Sequence, residues 1–356
     1  MRARVRCVRS WYRVGTRGRG SVGRASPCQG EGRGFESRRP LQYVNPGLMP
    51  GVLFCRSVSC RGLRRVTGGG LSVAWLGAPT SVRPMTRWPF AGGVSQVATS
   101  HHADDDQYLA SSRAIGEANL HHRKHWEWAY IHATAVHADV IGDGRSALGF
   151  GVGSEPLVAA FAAAGSTVLA TDQSPETAAA WADTGQHAAS LAAVQRPQVC
   201  APDVLAERVT FRTVDMTSLP SDLGVFDLVW SSCCFEHLGS PEAGFDFVMA
   251  AMQHVRPGGV AVHTTEFDTT RWRRCRETGS VAAGDYVAFY RGRDLRRLVR
   301  RLRAAGHEVT ANWRVSNDHP MERRIGTFPY DDGPQMRLDM AGRRITSFGL
   351  CITRGD

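Results

Sequence analysis

The sequence almost lacks lysine: Lys124 is its single lysine, although lysine and arginine together number 43 among 356 residues. Acidic residues are nearly missing from residues 1–100, which hold seventeen arginines but only Glu31 and Glu36. The formal net charge is +10, and this segment accounts for +15, so the other 256 residues carry −5. The net negative charge of residues 101–356 does not favour nucleic-acid binding. We therefore expect no nucleic-acid partner.

Paired cysteines and long apolar runs are missing too. The five cysteines after residue 100 form no C-x-x-C pair, so we expect neither a zinc site nor a disulfide framework. Reduced thiols are typical of the cytosol. No apolar run approaches the roughly 18 residues that a membrane span needs, and no signal peptide is visible. The sequence therefore predicts a cytoplasmic protein with no bound metal and no membrane association.

Residues 1–100 are predicted to be a basic segment of low order. Glycine and arginine dominate residues 1–84, and apolar periodicity is weak there. Three interpretations are open: a basic arm for nucleic acid, an organelle transit peptide, or a segment that is not native to the protein. Residues 20–42 resemble the conceptual translation of a transfer-RNA gene, which favours the third interpretation and a native start near Met85 or Met49. We infer no function from this segment.

Residues 145–174 have the pattern of a nucleotide-binding βαβ unit. A short apolar run enters a glycine turn, a helical stretch follows from Glu155 to Ala164, and a second apolar run stops at Asp172. Glycines let the backbone bend sharply and approach a ligand closely, and the helix start offers free N–H groups. The carboxylate of Asp172, at the end of the second apolar run, is placed to hydrogen-bond with the ribose hydroxyls of a nucleotide. The three glycines of the turn are Gly149, Gly151 and Gly153.

Two further predicted strands end in polar residues. Residues 209–214 lead into Asp215 and Met216, and the apolar strand 226–230 is followed by an S-x-x-x-x-E-H-L sequence that starts at Ser231. A helix and a V-R-P-G-G turn then lead into a fifth strand, residues 260–265. In a doubly wound sheet, ligands bind beyond the carboxyl ends of the strands. These polar residues are therefore candidates for one shared site.

The G-x-G-x-G turn, the Glu-His pair after the fourth strand and the V-R-P-G-G turn together resemble the class I S-adenosylmethionine-dependent methyltransferases. The resemblance covers roughly residues 146–265. It implies a Rossmann-like, doubly wound α/β fold with a seven-stranded sheet and an antiparallel edge strand. It also implies S-adenosylmethionine as the cofactor. The chain departs from the commoner family pattern at one position: many members have an acidic residue there, whereas this sequence has Gly149. Glu155 or the N-terminal helix is therefore a candidate partner for the ammonium group of the cofactor's methionine.

The resemblance also implies roles for individual residues. The three glycines hold the methionine end and the ribose, Asp172 binds the ribose hydroxyls, and Asp215 with Met216 binds the adenine. Ser231 and its neighbour Ser232 lie under the cofactor. The candidate catalytic residues project toward the acceptor, with His237 as the first choice for a general base and Glu266 as the second, although each has a structural alternative such as capping a helix. The acceptor-side residues are Glu236, His237, His263 and Glu266.

The resulting domain prediction has three parts: the basic segment 1–100, an N-terminal helical cap at 101–145 and a methyltransferase domain at 146–356. The cap is expected to contain one helix from about Asp106 to Ile141, which either packs its aromatic residues on the sheet or forms a lid that brings Arg123, Lys124 and Trp126 to the site. Another helix is expected at 175–193. The strands 308–315 and 345–353 are expected to form the edge hairpin, with residues 316–344 as an acceptor-binding loop.

The predicted function is transfer of a methyl group by direct displacement to a small polar acceptor, such as a hydroxyl of a sugar or glycan precursor. The sequence indicates no oligomeric state. One alternative is a nicotinamide-dependent oxidoreductase on the same type of sheet, which should carry G-x-G-x-x-G and no Glu-His pair after the fourth strand. Another is a binding module that kept the fold without catalysis. Binding of S-adenosylhomocysteine or of NADH discriminates among the three.

Overall fold

The computed structural model describes residues 88–178, 186–270, 279–282, 285–327 and 333–356. Strands and helices alternate through most of these ranges. The strands are β1 (Ser95–Val97), β2 (Ser146–Phe150), β3 (Thr167–Asp172), β4 (Val209–Thr213), β5 (Phe226–Ser232), β6 (Val255–Asp268), β7 (Gly279–Ala282), β8 (Asp285–Ala288), β9 (Ala311–Asn312), β10 (Leu338–Met340) and β11 (Arg343–Thr353). The helices are α1 (Asp106–Ala114), α2 (Arg123–His137), α3 (Leu157–Ala163), α4 (Pro202–Arg208), α5 (Pro241–Ala251) and α6 (Gly292–Ala304).

The main sheet has the strand order β4-β3-β2-β5-β6-β11-β1-β9, and β10 also pairs with β11. The strands from β4 to β6 are parallel to their neighbours, whereas β11 runs antiparallel to β6. The chain winds outward in both directions from the boundary between β2 and β5. This boundary is the switch point beyond which open α/β sheets bind their ligands. The predicted Rossmann-like α/β class is therefore confirmed.

Two details of the predicted sheet are wrong. Among the described residues the sheet has nine strands instead of seven. The antiparallel strand β11 lies inside it, because β1 pairs with the outer side of β11 and β9 pairs with β1. The backbone N–H of Cys351 donates to Ser95 Oγ at 3.0 Å, which ties β1 to β11. Strands of two or three residues are too short to show an alternating pattern in the sequence. β1 also lies inside the segment 1–100 that was predicted to have low order.

The structure has two N-terminal helices where one was predicted. α1 ends at Ala114, and Gly116 follows with a φ of 73°, a left-handed conformation that commonly ends helices. α2 then begins at Arg123, after His122, whose side chain does not cap the helix. The predicted helix missed this break because Gly116 has no proline beside it and the polar residues that follow are common in both helices and loops.

α2 packs closely on the sheet through its aromatic residues. Trp126 and Tyr130 are fully buried, and their rings stack with centroids 5.1 Å apart. A Cβ on Gly349 of β11 would lie 2.2 Å from the Tyr130 ring, so the glycine is what lets the helix approach. The Tyr130 hydroxyl donates to the Val94 carbonyl oxygen at 3.0 Å. Of the two interpretations of α2, packing on the sheet therefore holds for its aromatic residues.

Three more predicted elements differ from the structure. The described parts of the predicted helix 175–193 form a turn at residues 175–177 and a 3-10 helix at Leu191–Val194, while residues 179–185 lie outside the described ranges. The predicted strand 308–315 is reduced to β9, with one further bridge from Glu308 to Thr353. The predicted loop 316–344 contains a 3-10 helix at Pro320–Arg323 and the strand β10. Residues 328–332 of this loop lie outside the described ranges, as do residues 1–87.

The hydrophobic core lies on both faces of the sheet. On one face, α2, α3 and α4 bury a cluster that includes Trp126, Phe161 and Trp230. On the other face, α5 and α6 bury a second cluster that includes Phe247 and Leu298. Burial on both faces explains why the parallel strands are apolar almost throughout. Within the described ranges, no helix combines the length and the apolar character that crossing a membrane requires.

Candidate active site

Two adjoining cavities open at the carboxyl ends of β2, β3, β4 and β5. The first has a volume of about 450 Å³ and the second a volume of about 390 Å³. Parallel strands end on the same side of a sheet, so the residues that follow each of these strands are brought together there. Four residues line both cavities, and we call this set the neck: Lys124, Gly151, Gln186 and Ser232.

The glycine turn after β2 brings backbone to the cavity surface. Gly151 has a φ of 58° and lines both cavities, while Gly153 has a φ of 49° and lines the second. A Cβ on Gly151 would lie 2.7 Å from Cys234 Sγ, and one on Gly153 would lie 2.1 Å from the Gln186 carbonyl oxygen. Both positions therefore require glycine for conformation and for space.

Gly149 has a different place from the other two glycines. It belongs to β2, and a Cβ there would lie 2.4 Å from the ring of Trp230. Its role in the structure is thus to admit Trp230, whose Nε1–H donates to Glu155 Oε1 at 2.5 Å. Glu155 lines the second cavity. Burial raises the pKa of Glu155 to about 8, against the opposing effect of the Trp230 hydrogen bond.

Asp172 ends β3 and lines the first cavity. Its Oδ2 accepts hydrogen bonds from the backbone N–H groups of Gly153 at 2.9 Å and Ala188 at 3.1 Å, and its Oδ1 accepts one from Gln173 at 2.8 Å. Burial raises the pKa of Asp172, while these three hydrogen bonds act in the opposite direction. The carboxylate therefore fixes the glycine turn and retains a lone pair on Oδ1 for a ligand.

Asp215 and Met216 follow β4 and line the same cavity as Asp172. The Asp215 Oδ1 atom accepts from the backbone N–H of Thr217 at 2.8 Å and from its hydroxyl at 2.7 Å. These two bonds hold the carboxylate in place at an exposed position. The sulfur of Met216 lies 3.6 Å from where a Cβ on Gly151 would stand. The two aspartates predicted at neighbouring strand ends are thus brought to one cavity.

The end of β5 places Ser232, rather than the predicted Ser231, at the cavities. Ser231 is fully buried, and its hydroxyl lies 2.8 Å from His263 Nδ1. Burial lowers the pKa of His263 to about 3, so this imidazole is neutral in the core. Successive side chains of a strand point to opposite faces, which is why Ser232 lies at the neck while Ser231 and His263 pack under the sheet.

The turn after β5 carries His237 to the first cavity. It begins at Cys233, which has a φ of 48°, an uncommon value for a residue with a side chain. The Cys233 backbone N–H donates to the Thr264 carbonyl oxygen at 3.0 Å. Cys234 and His237 then line the first cavity. The structure thus places His237, the first-choice base, at the candidate site.

The two predicted acceptor-side glutamates are buried behind the cavity surface, and neither is among the residues that line it. Glu236 is fully buried and accepts from the Thr265 hydroxyl at 3.1 Å and from the backbone N–H of Glu266 at 3.3 Å. Glu266 is 3% exposed, and its Oε1 lies 2.7 Å from Arg123 Nη2. Their positions favour the structural alternative for both: Glu236 ties the turn to β6, and Glu266 ties β6 to α2.

The first turn of α2 supplies a charged residue that motifs alone do not indicate. Lys124 lies at the neck, and its Nζ is 3.3 Å from Glu127 Oε2. Arg123 Nη1 is 2.9 Å from Glu127 Oε1. Burial alone would lower the pKa of Arg123, but the carboxylates of Glu266 and Glu127 raise it above its ordinary value. Of the three residues proposed for a lid, Lys124 reaches the cavities, Arg123 lies behind them and Trp126 belongs to the core.

Potential metal ligands come together at one point among the described residues. Donor atoms of Cys233, Glu236 and Glu266 lie within 4.8 Å of one another, and all three residues are buried. The Arg123 guanidinium already supplies positive charge there, because it lies 2.7 Å from Glu266 and 3.8 Å from the Cys233 sulfur.

Residues 148–263 match a protein-family profile described as a methyltransferase domain. The matched segment runs from β2 into β6. It contains the glycine turn, both aspartates and the turn after β5. No curated protein sequence matches the chain.

Several solved structures resemble the chain at low identity. One is a putative sarcosine dimethylglycine methyltransferase from Galdieria sulphuraria (15% identity, 39% of this chain and 46% of that chain, TM-score 0.29). Another is an O-methyltransferase family protein from Burkholderia thailandensis (15% identity, 66% of this chain and 60% of that chain, TM-score 0.38). A third is the magnesium protoporphyrin IX methyltransferase of Synechocystis PCC 6803 with bound SAH (13% identity, 70% of this chain and 95% of that chain, TM-score 0.39). The chain spans less than two thirds of the first two, and similarity this low says nothing about the acceptor.

The family match and the strand order agree on one assignment. The match covers the strands on both sides of the switch point, where the two aspartates line one cavity with the glycine turn. Domains of this family use S-adenosylmethionine as their cofactor. Residues 148–263 of this chain are therefore a class I S-adenosylmethionine-dependent methyltransferase domain.

Proposed function

We propose that the protein transfers a methyl group from S-adenosylmethionine to a hydroxyl of a small polar acceptor. One observation carries the proposal: Asp172 and Asp215, from the ends of neighbouring strands, line the same cavity as the positive-φ turn at Gly151. This arrangement offers one carboxylate for ribose hydroxyls, another for an adenine amino group, and close backbone approach between them.

The residues present fit this cofactor. Asp172 takes the ribose, and Asp215 with the thioether of Met216 takes the adenine in the first cavity. The second cavity offers a cation at Lys124 for the methionine carboxylate and an acid at Glu155 for the methionine ammonium. Glu155 thereby replaces the acidic residue that many family members have at the position of Gly149. Among the serines, Ser232 replaces Ser231 at the neck, because Ser231 is bonded to His263 in the core.

When bound, the cofactor supplies a methyl group on a positively charged sulfur. The task of the chain is then to position the acceptor and to remove its proton. Positioning is the larger contribution in a direct displacement. His237 at the first cavity is the group that accepts the proton of the acceptor hydroxyl. We propose sugars and glycan precursors as the first acceptors to test.

Calorimetric titration separates this function from its alternatives. We expect saturable binding of S-adenosylhomocysteine and none of NADH, because Asp172 and Asp215 line one cavity in an arrangement that suits an adenosyl ligand without a pyrophosphate. Saturable binding of NADH alone would establish the oxidoreductase alternative. Binding of neither compound would favour a domain that kept the fold without the cofactor site.

The His237→Ala variant tests the base. We expect its single-turnover methyl transfer to fall by about 10²–10⁴-fold, the usual contribution of a general base, with S-adenosylhomocysteine affinity unchanged. The measurement uses the acceptor that a panel of sugars and glycan precursors identifies. The exposed His137, at the far end of α2, provides the matched control as His137→Ala. An unchanged rate in His237→Ala would show that another group takes the proton.

A further inference from the structure

Part of the second cavity is not used by the proposed contacts to the cofactor. This part comes from the connection between α1 and α2 and from α2 itself, and we call it the helical lining. The cavity has a volume of about 390 Å³, and cavities of about 300–1,000 Å³ hold whole ligands. Room therefore remains for a second ligand beside the small amino-acid end of the cofactor. The helical lining consists of Glu117, Asn119, His122, His125 and Trp128.

His125 presents an unused hydrogen-bond acceptor in this lining. The residue is only 1% exposed. Its Nε2 atom lies 2.7 Å from Ser112 Oγ, and the Ser112 hydroxyl donates to the Tyr108 carbonyl oxygen at 2.8 Å. Because a serine hydroxyl has one hydrogen to donate, Ser112 accepts from the Nε2–H of His125, and the lone pair of the neutral imidazole is on Nδ1. Nδ1 has no hydrogen-bond partner among the described residues.

The surroundings keep the His125 imidazole neutral. Burial lowers the pKa of His125 to about 4, and the neighbouring His122 acts in the same direction. The Nδ1 atom is therefore an acceptor at neutral pH and does not become a donor. A buried acceptor that lacks a donor costs free energy. The site is thus complete only when a hydrogen is donated to Nδ1.

Glu117 provides a second acceptor that faces the same nitrogen. Its Oε2 atom lies 4.0 Å from His125 Nδ1, which is too far for a direct hydrogen bond. Ser112 holds both residues, because its carbonyl oxygen accepts from the Glu117 backbone N–H at 3.0 Å while its hydroxyl oxygen accepts from His125. The Glu117 side chain is 37% exposed, so a ligand can reach the pair.

The two acceptors define the group that fits between them. An atom about 2.8 Å from each bridges the 4.0 Å gap, and it must carry two hydrogens because both sides accept. A sugar hydroxyl has one hydrogen. A primary ammonium group has three, and its charge strengthens the hydrogen bond to a carboxylate. Trp128 lines the same cavity, and an indole face is the aromatic surface that cations favour most.

The charges near the second cavity also favour a cation beside Glu117. Lys124 lies 3.3 Å from Glu127, and in the proposed function it binds the methionine carboxylate. Burial raises the pKa of Glu117, while Arg196 acts in the opposite direction. A cation in contact with the Glu117 carboxylate stabilises its ionised form. The pair therefore gains more from an ammonium group than from a neutral donor.

We propose that the helical lining binds a primary ammonium group of the acceptor between His125 Nδ1 and the Glu117 carboxylate, so that the acceptor is an amine-bearing hydroxyl compound such as an amino sugar. The inference rests on the proposed function and narrows its acceptor class. The ammonium group serves as an anchor, and a hydroxyl of the same molecule receives the methyl group. No bond forms or breaks at the helical lining.

Matched amines and alcohols test this anchor in the full chain saturated with S-adenosylhomocysteine. The pairs are ethanolamine with ethylene glycol, D-glucosamine with D-glucose, and D-galactosamine with D-galactose, at about pH 7, where primary amines are mostly protonated. Ligand-observed NMR titration gives the dissociation constants. We expect at least one amine to bind about tenfold or more tightly than its alcohol, an ordinary effect of a hydrogen bond to a charged group.

The outcomes separate this inference from the proposed function. Equal binding within every pair, or no binding by any of the amines, would overturn the inference and leave the proposed function standing, provided that S-adenosylhomocysteine binds. If S-adenosylhomocysteine does not bind either, the proposed function fails and the inference fails with it.

Two variants assign the contact. Glu117→Gln removes the charge at a partly exposed position and should abolish the preference for amines with unchanged affinity for S-adenosylhomocysteine; His125→Phe, which removes Nδ1 but keeps a flat ring, serves if the first variant does not fold. The matched control is Glu207→Gln, an exposed glutamate of α4 that lines neither cavity and should keep the preference. A preference retained in Glu117→Gln would contradict the inference. A loss of about tenfold or more in its affinity for S-adenosylhomocysteine would assign the pair to the cofactor's own ammonium group and likewise overturn it.

Discussion

Replacing Arg123 with methionine should lower the free energy of unfolding by about 3–5 kcal/mol, the cost of leaving buried charges without their partner. Arg123 lies 2.9 Å from Glu127 and 2.7 Å from Glu266, and neither carboxylate has water to replace it. Methionine keeps much of the volume of the side chain, so lost packing is a small part of the effect. Urea denaturation, followed by circular dichroism, gives the change as a shift in midpoint at constant slope.

An ion pair on the surface provides the comparison. In Arg212→Met the lost contact is to Asp222, whose side chain is 71% exposed, and such pairs contribute about 0–1 kcal/mol. Equal and small changes for both variants would show that Glu127 and Glu266 are uncharged in the folded protein.

The second large effect is expected for Asp172→Asn, which should weaken binding of S-adenosylhomocysteine by about 100-fold, since hydrogen bonds to a charged group contribute about 1.5–3 kcal/mol each. The asparagine amide keeps only one acceptor oxygen, and its NH2 group cannot accept from the backbone N–H donors of Gly153, Ala188 and Gln173. The variant therefore loses a ligand contact and loosens the glycine turn together. Calorimetric titration measures the affinity.

The exposed Asp222 gives the control for this substitution. Asp222→Asn breaks the same surface pair with Arg212 from the acidic side and lies outside both cavities, so its affinity should equal that of the wild-type protein. A loss of less than a few-fold in Asp172→Asn would mean that the carboxylate serves only to hold the turn. The ribose would then have to be bound by other groups of the first cavity.

The parts of the fold that follow from local pattern were predictable. The order of strand, glycine turn, helix, strand and acid around Asp172 depends on spacing and backbone conformation, both of which are written in consecutive residues. The same is true of Asp215, which follows a strand directly. Parallel strands bring such ends together without any further information, which is why both aspartates could be assigned to one cavity from the sequence.

The rest depends on contacts between distant segments. The choice between Ser231 and Ser232 follows from the face that each presents on β5, and a shift of one residue reverses it. The burial of Glu236 and Glu266 depends on α2 covering them with Arg123, an arrangement that no spacing reveals. Lys124 could have been singled out by its being the one lysine, but only the docking of α2 shows that it reaches the cavities.

The contact between Tyr130 and Gly349 has a consequence for how ligands reach the cavities. A helix whose aromatic residues fill the core against β11 acts as a fixed wall, since swinging it outward would tear Trp126 and Tyr130 from their packing. We therefore expect ligands to reach the first cavity past the exposed Asp215 and Thr217, without an outward movement of α2.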